Sequence, residues 1–189
     1  MRLLSPLALL CLALLAGPAL ADTASTPAAS RDGQHDFDFD VGVWHTHIKR
    51  ILDPFASDSA SIELEGTVTV RKVWGGKAEL EEVEVDGPKG HWEGLSLLLY
   101  NPSAHQWSQS YVNSKIGTFS PSESPVGEFD DGRGVLVCQD SSTYDKTILV
   151  KVVYSDIKPD SHQYQEWYSH DGGTSWVLSF TANLTRSKQ

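Results

Sequence analysis

His45 and His47 are the side chains whose type and spacing come closest to a metal-binding pattern. Imidazoles at i and i+2 of a strand project to one side, and imidazole is a common ligand for zinc and copper. Their phase opposes an interior site. If Trp44, Thr46 and Ile48 face a core, both histidines face solvent beside Lys49, and no third ligand stands nearby in sequence. Asp36, Asp38 and Asp40 also alternate, as calcium-ligating aspartates can. They lack the glycines and the bidentate glutamate of a calcium loop, and read as a solvated edge flanking Phe37 and Phe39. Cys138, in Val135-Leu136-Val137-Cys138, reads as a small buried hydrophobe. There is no nucleophile elbow, no phosphate-cradling glycine loop and no His-Glu-x-x-His. The seven scattered histidines single out no haem ligand. The sequence therefore names no catalytic residue, and no metal or cofactor is expected.

A stronger pattern is a mixed aromatic and polar face. Counting by twos places Trp92, Gly94, Ser96, Leu98 and Tyr100 on one side of one run, and Trp107, Gln109, Tyr111 and Asn113 on one side of the next. Aromatic area combined with amide and hydroxyl groups is what a small-molecule pocket presents. A sealed core favours Val, Ile and Leu, because a buried amide or hydroxyl left unpaired costs about 1–3 kcal/mol. Two other readings stay open: an internally satisfied polar network with ordered water, or a phase slip that puts these groups outside. Arg50 shares the phase of Trp44 about three residue pairs further on. It either points inward, able to hold a carboxylate, or has reached solvent at a rim.

The elements that carry these residues are strands. Turn chemistry recurs at Gly75-Gly76, Asp86-Gly87-Pro88-Lys89-Gly90, Asn101-Pro102-Ser103, Asp130-Asp131-Gly132, Lys158-Pro159-Asp160 and Asp171-Gly172-Gly173. Between these lie runs of about 8–12 residues rich in Val, Ile, Leu, Thr, Tyr and Trp, with no helical repeat. Ile62, Leu64, Gly66, Val68 and Val70 alternate with Glu63, Glu65, Thr67 and Thr69. In the last run Trp176, Leu178, Phe180, Ala182 and Leu184 share a face. The alternation of residues 77–85 changes phase at Glu81-Glu82. About ten strands joined by short turns predict an all-β fold, a single antiparallel meander closed into a barrel, which removes exposed edges and can hold a small ligand. Ser169-x-Asp171-x-Gly173-x-Ser175-Trp176 resembles the Asp-box of sialidase propellers. One copy in a chain this short makes it a hairpin, with Asp171 bonded to nearby amides and Trp176 covering the turn.

The start of the chain reads as an export signal. Arg2 precedes an apolar run from Leu3 to Leu15, followed by Gly17-Pro18 and Ala19-Leu20-Ala21, with cleavage expected after Ala21. Residues 22–34 read as a flexible leader and 35–189 as one domain. Leu10 before Cys11 is wrong for a lipobox, so no membrane anchoring is expected. The exported chain keeps 14 Lys and Arg against 25 Asp and Glu, a formal charge of −11, which repels nucleic acid and anionic lipid. With Cys138 as its single cysteine, it forms no internal disulfide. A periplasmic or secreted location follows from the signal.

His35-Asp36-Phe37-Asp38-Phe39 leading into Gly42-Val43-Trp44, Gly94-Leu95-Ser96 ahead of Tyr100-Asn101-Pro102, Gln106-Trp107-Ser108-Gln109, and Ser169-His170-Asp171-Gly172-Gly173-Thr174-Ser175-Trp176 together resemble a family of uncharacterised secreted bacterial proteins with a calycin-like (lipocalin-like) barrel. The resemblance spans most of the exported chain. It implies that Trp44, after Gly42, packs on the barrel floor against a basic side chain of the last strand, here Arg186; Phe37 and Phe39 read as plugging that floor. The function expected is binding of a small, partly apolar ligand inside the barrel, near Trp92, Ser96, Tyr100, Trp107, Gln109, Tyr111, Asn113 and Arg50. The alternatives are a small non-covalent enzyme of isomerase or cyclase type using the same cavity, or a structural barrel with a filled core.

Overall fold

Ten strands follow one another along the chain: Gly42–Ile51 (β1), Ser61–Val73 (β2), Ala78–Gly87 (β3), Gly90–Asn101 (β4), Gln106–Asn113 (β5), Val126–Asp130 (β6), Arg133–Asp140 (β7), Ile148–Lys158 (β8), Ser161–Ser169 (β9) and Val177–Arg186 (β10). This computed structural model describes residues 31–119, 124–141 and 147–188. The expected signal at 1–21 and most of the leader lie outside them. Each strand pairs antiparallel with its chain neighbour, and β1 closes on β10 from Trp44↔Arg186 to Arg50↔Phe180, giving a closed meander barrel. The turns explain the connectivity. Asp131 and Gly132, at φ 47° and 71°, form the two-residue loop between Asp130 and Arg133 that matches the twist of a hairpin.

The N-terminal segment closes one end. Residues 33–40 form successive tight turns, with the amides of Asp36, Asp38 and Asp40 donating to the carbonyls of Gly33, His35 and Phe37 at 2.9–3.2 Å. Phe37 is fully buried, its ring 4.8–5.0 Å from those of Trp107, Phe129 and Tyr154. Arg186 lies across Trp44, its guanidinium carbon 4.0 Å from the ring centroid, and donates to the carbonyls of Pro159, Val41 and Phe39 at 2.9–3.1 Å. Gly42, at φ 141°, leaves room for that guanidinium, because a Cβ there would collide with Arg186 Nη1. Residues 31–34 belong to this floor and not to the leader. Trp107 Nε1 donates to the Gly33 carbonyl at 2.8 Å, Tyr100 donates to Asp32 at 2.6 Å, and Arg31 pairs with Asp36.

Three expected faces change. The β2–β3 ladder runs unbroken from Glu65↔Asp86 to Val73↔Ala78, so the phase does not switch at Glu81-Glu82, and Glu79 and Glu81 follow Val83 and Val85 inward. On β10 the register shifts between Leu178 and Phe180. Leu178 pairs with Trp167, and Trp176 lies outside, 4.1 Å from Lys151 Nζ. Of the three aspartates expected at a solvated edge, Asp38 is exposed and Asp40 is not. Asp38 pairs with Lys72 at 2.6 Å, while Asp40 is 1% exposed and its Oδ1 lies 3.1 Å from His162 Nε2.

Candidate functional site

Strand alternation arranges the interior in layers above the floor. The lowest is apolar and aromatic, containing Phe37, Leu98, Tyr100, Trp107, Phe129 and Tyr154. Tyr100 and Trp107, expected among the ligand-binding residues, are therefore floor core, and their polar atoms are taken up by Asp32 and Gly33. Beside them Asp40 and His162 form their buried pair between the rings of Phe39 and Trp44, at centroid distances of 5.1 and 4.6 Å from His162. Glu79 is also fully buried, and neither of its carboxyl oxygens has a hydrogen-bond partner. Burial, reinforced by Asp40 and Asp38 and opposed by Lys72, pushes its carboxyl up to about 8.

The middle layer is polar. Gln109 Nε2 donates to Ser96 Oγ at 3.4 Å, and Ser96 Oγ donates to Glu81 Oε1 at 3.0 Å, a directional chain across β5, β4 and β3. Register explains it. Ser96 is directly opposite both Glu81 and Tyr111, and Gln109 is opposite Leu98, one inward position away. Desolvation first, and then Asp40, push Glu81 up to about 8, against the Ser96 hydrogen bond. At neutral pH it is chiefly a neutral acid. Across the lumen Tyr164 and Tyr168 donate to the two oxygens of Glu166 at 2.8 and 3.3 Å, and burial still raises that carboxyl. Tyr154, edge-on to Tyr164 at 5.2 Å, is raised well above the usual tyrosine range by burial and then by Glu81, Asp40 and Glu166.

Above this layer Trp92 stacks on Tyr111, with centroids 6.0 Å apart. Gly94 permits it, because a Cβ there would meet the Tyr111 ring and hydroxyl at 3.0 Å and Trp92 at 3.1 Å. Burial raises the Tyr111 hydroxyl, with Asn113 and Arg50 opposing and Glu166 and Glu81 adding to the rise. Asn113 marks the strand end, where its Oδ1 accepts from the Ile116 amide at 3.0 Å. Arg50 is exposed at the same end, where it lowers Glu166 as well as Tyr111, so its charge reaches the lumen from the rim.

The structure thus brings together Trp92, Ser96, Gln109, Tyr111 and Asn113 with Arg50 above them, and moves Tyr100 and Trp107 to the floor. Sequence reading missed Glu81, Tyr154, Tyr164 and Glu166, together with the lower group of Glu79, Asp40 and His162. The signal for Glu79 and Glu81 was present: counting back by twos from Val85 and Val83 reaches both. Glu81, Tyr164 and Glu166 lie on inner faces of the barrel, and each keeps some solvent-accessible surface.

Elsewhere the outer surface holds hollows. Among the described residues one of about 350 Å³ includes the outward Glu82, Glu84, Glu93 and Leu95, and another of about 480 Å³ lies beneath the floor beside His35, Asp36 and Phe129. His45 and His47 are on the outer face, with His45 Nε2 3.0 Å from Glu65 and His47 Nε2 2.7 Å from Glu63. Among the described residues no group of three or more His, Cys, Asp or Glu side chains is placed to hold a metal ion.

No protein-family model matches the sequence, and no curated protein matches it significantly. Among solved structures, the chain is similar to an S-type phycobiliprotein lyase from Guillardia theta, at 11% identity and a TM-score of 0.57, covering 85% of this chain and 95% of that one. A de novo designed fluorescence-activating β-barrel matches at 14% identity and a TM-score of 0.42, covering 83% of this chain and 99% of the design. The likeness to the lyase is one of fold.

Proposed function

We propose that this protein is an exported barrel that binds a small, partly apolar molecule in the half of its lumen away from the plugged floor. The molecule sits among Trp92, Ser96, Gln109, Tyr111, Glu81 and Glu166. The observation that carries this reading is the accessible surface kept by polar groups on the inner faces. A barrel built only for stability fills its interior with apolar side chains, as the floor layer here does. Export rests on the pattern of residues 1–21, and membership of the secreted family on the motifs that resemble it. Native mass spectrometry of protein from its own host tests the reading: a bound species of defined mass is expected, released when the barrel unfolds. A single mass equal to that of the bare polypeptide would count against it.

A second reading has its own support. Glu81 and Glu166 occupy unlike environments, one a neutral acid beside a serine, the other accepting two tyrosine hydroxyls. Two carboxyls in such unlike hydrogen-bonding environments can act as acid and base on a bound molecule without a covalent intermediate. In that case the recovered molecule exchanges a carbon-bound hydrogen for deuterium when incubated with the protein in heavy water, and does not with Glu81→Gln. Absence of exchange leaves the barrel a binder.

A further inference from the structure

The lumen is short of positive charge and rich in acceptors. Its titratable groups around Glu81 are mostly acids and tyrosines: Asp40, paired with His162, and Glu79 towards the floor, Tyr154 on β8, Tyr164 and Glu166 on β9, and Tyr111 on β5. Among the described residues no lysine or arginine is buried, and Arg50 stays at the exposed rim. Two buried polar atoms add a separate observation. Gln109 is 6% exposed and its Oε1 has no hydrogen-bond partner; Tyr154 is 1% exposed and its hydroxyl has none. The Gln109 vacancy follows from the direction of its chain. Ser96 gives its single proton to Glu81, so it can only accept from Gln109, which must turn its amide nitrogen to Ser96 and its carbonyl oxygen elsewhere. A buried acceptor left unpaired is costly, and a molecule that brings a donor to it recovers the loss.

We propose that the lumen selects a small organic cation, a primary or secondary amine on an aromatic body, with its ammonium held by Glu81, Glu166 and Gln109 Oε1 and its body against Trp92 and Tyr111. This rests on the lumen being the binding site. The chemistry fits in three ways. Both carboxyls keep accessible surface; Glu166 accepts from Tyr164 at 2.8 Å, Tyr164 lies edge-on to Tyr154 at 5.2 Å, and both rings also respond to Glu81. An ammonium carries two or three N–H donors into a space whose unmet groups include acceptors, and its charge draws the proton off Glu81; a carboxylate ligand brings no donor and keeps Glu81 protonated. The stacked Trp92 and Tyr111 and the ring of Tyr164 supply π faces that attract a desolvated cation. Arg50 stands at the rim, and among the described residues no other lysine or arginine lies deeper in the lumen, so an anionic ligand would find that partner at the entrance.

Three probes that differ only in their polar end separate the possibilities: 2-phenylethylamine, 2-phenylethanol and 3-phenylpropionate, titrated at pH 7 into the full chain labelled with ¹⁵N, reading the indole N–H resonance of Trp92. The amine is expected to bind at least about tenfold more tightly than the alcohol, as a charge-assisted contact exceeds a neutral one, and the carboxylate more weakly than either. Glu81→Gln and Glu166→Gln should each reduce the preference for amine over alcohol by about tenfold while leaving alcohol affinity within about threefold. Equal binding of amine and alcohol, tighter binding of the carboxylate, or an amine preference that survives in both variants would overturn the cation inference and leave lumen binding standing. If no probe moves the Trp92 resonance, both readings fall together.

Discussion

Glutamine in place of Glu81 is expected to stabilise the fold at neutral pH, and the gain must depend on pH in a defined direction. Burial and Asp40 push the Glu81 carboxyl from its ordinary 4.5 up to about 8. In the unfolded chain the group ionises near its ordinary value, so between about 4.5 and 8 the folded state holds a proton that the unfolded state has released. Stability therefore falls as the pH rises through that window, and below it the penalty is absent. Each pH unit above the ordinary value is worth about 1.4 kcal/mol, which sets a ceiling of about 3 kcal/mol at pH 7. Solvent in the lumen lowers the realised figure. Glutamine cannot ionise, and it keeps a carbonyl oxygen where Ser96 donates at 3.0 Å. Urea unfolding of both chains at pH 5, 6, 7 and 8 should give curves that nearly coincide at pH 5 and diverge steadily above it. A difference that does not change from pH 5 to 8, or a variant less stable than the parent at pH 7, would refute the account of a buried neutral acid. The same variant loses amine preference under the proposal above, and a residue whose removal stabilises the fold while impairing binding has the signature of a functional position.

Two further outcomes test the frame that holds this site. Arg186→Ala removes the cation from the Trp44 face and leaves the carbonyls of Phe39, Val41 and Pro159 without their donor, which should destabilise the protein by roughly 2–4 kcal/mol in urea unfolding; Arg186→Lys should recover only part, since one ammonium cannot reach three carbonyls and the ring. Asp171 is held well below the usual aspartate range by the Ser175 amide and by the Ser175 and Ser169 hydroxyls, so its support of the hairpin is present above the ordinary value and lost only as the pH falls through the depressed one. Asp171→Ala should speed amide hydrogen exchange at Ser175 at neutral pH, and unchanged exchange there would show that the carboxylate does not hold the turn.

The number and order of the strands were legible because their causes are local. Gly75-Gly76, Asp131-Gly132 and Asn101-Pro102 mark turns by their own backbone preferences, and alternation over ten residues states which side chains share a face. The same logic placed Trp92, Ser96, Gln109 and Tyr111 on inner faces, and sent His45 and His47 outward. It faltered at β10, where a bulge between Leu178 and Phe180 shifts the register, because the extra residue is invisible until the partner strand is present.

Glu79 and Glu81 show the deeper limit. Period two alone put them inside, yet two carboxyls on an inner face look forbidden when burial is judged one strand at a time, so a change of phase at Glu81-Glu82 was the natural reading. What makes the inner position tolerable lies elsewhere in the barrel: Ser96 for Glu81, Lys72 near Glu79, and the accessible surface that Glu81 keeps. Tyr100 and Trp107 teach the same lesson from the other end. In type they match Tyr111 and Trp92, and only the turn of residues 33–40, folding back on the barrel, makes one pair a floor and leaves the other at the site. The sequence by itself determined a closed antiparallel meander of ten strands and most of its inward residues, because hydrogen-bonding geometry and turn preferences act between neighbours. Tertiary structure alone decided which inward residues touch one another and which end is plugged. It also decided which carboxyls stay protonated, because desolvation and the sum of distant charges depend on what the closed barrel places opposite each one.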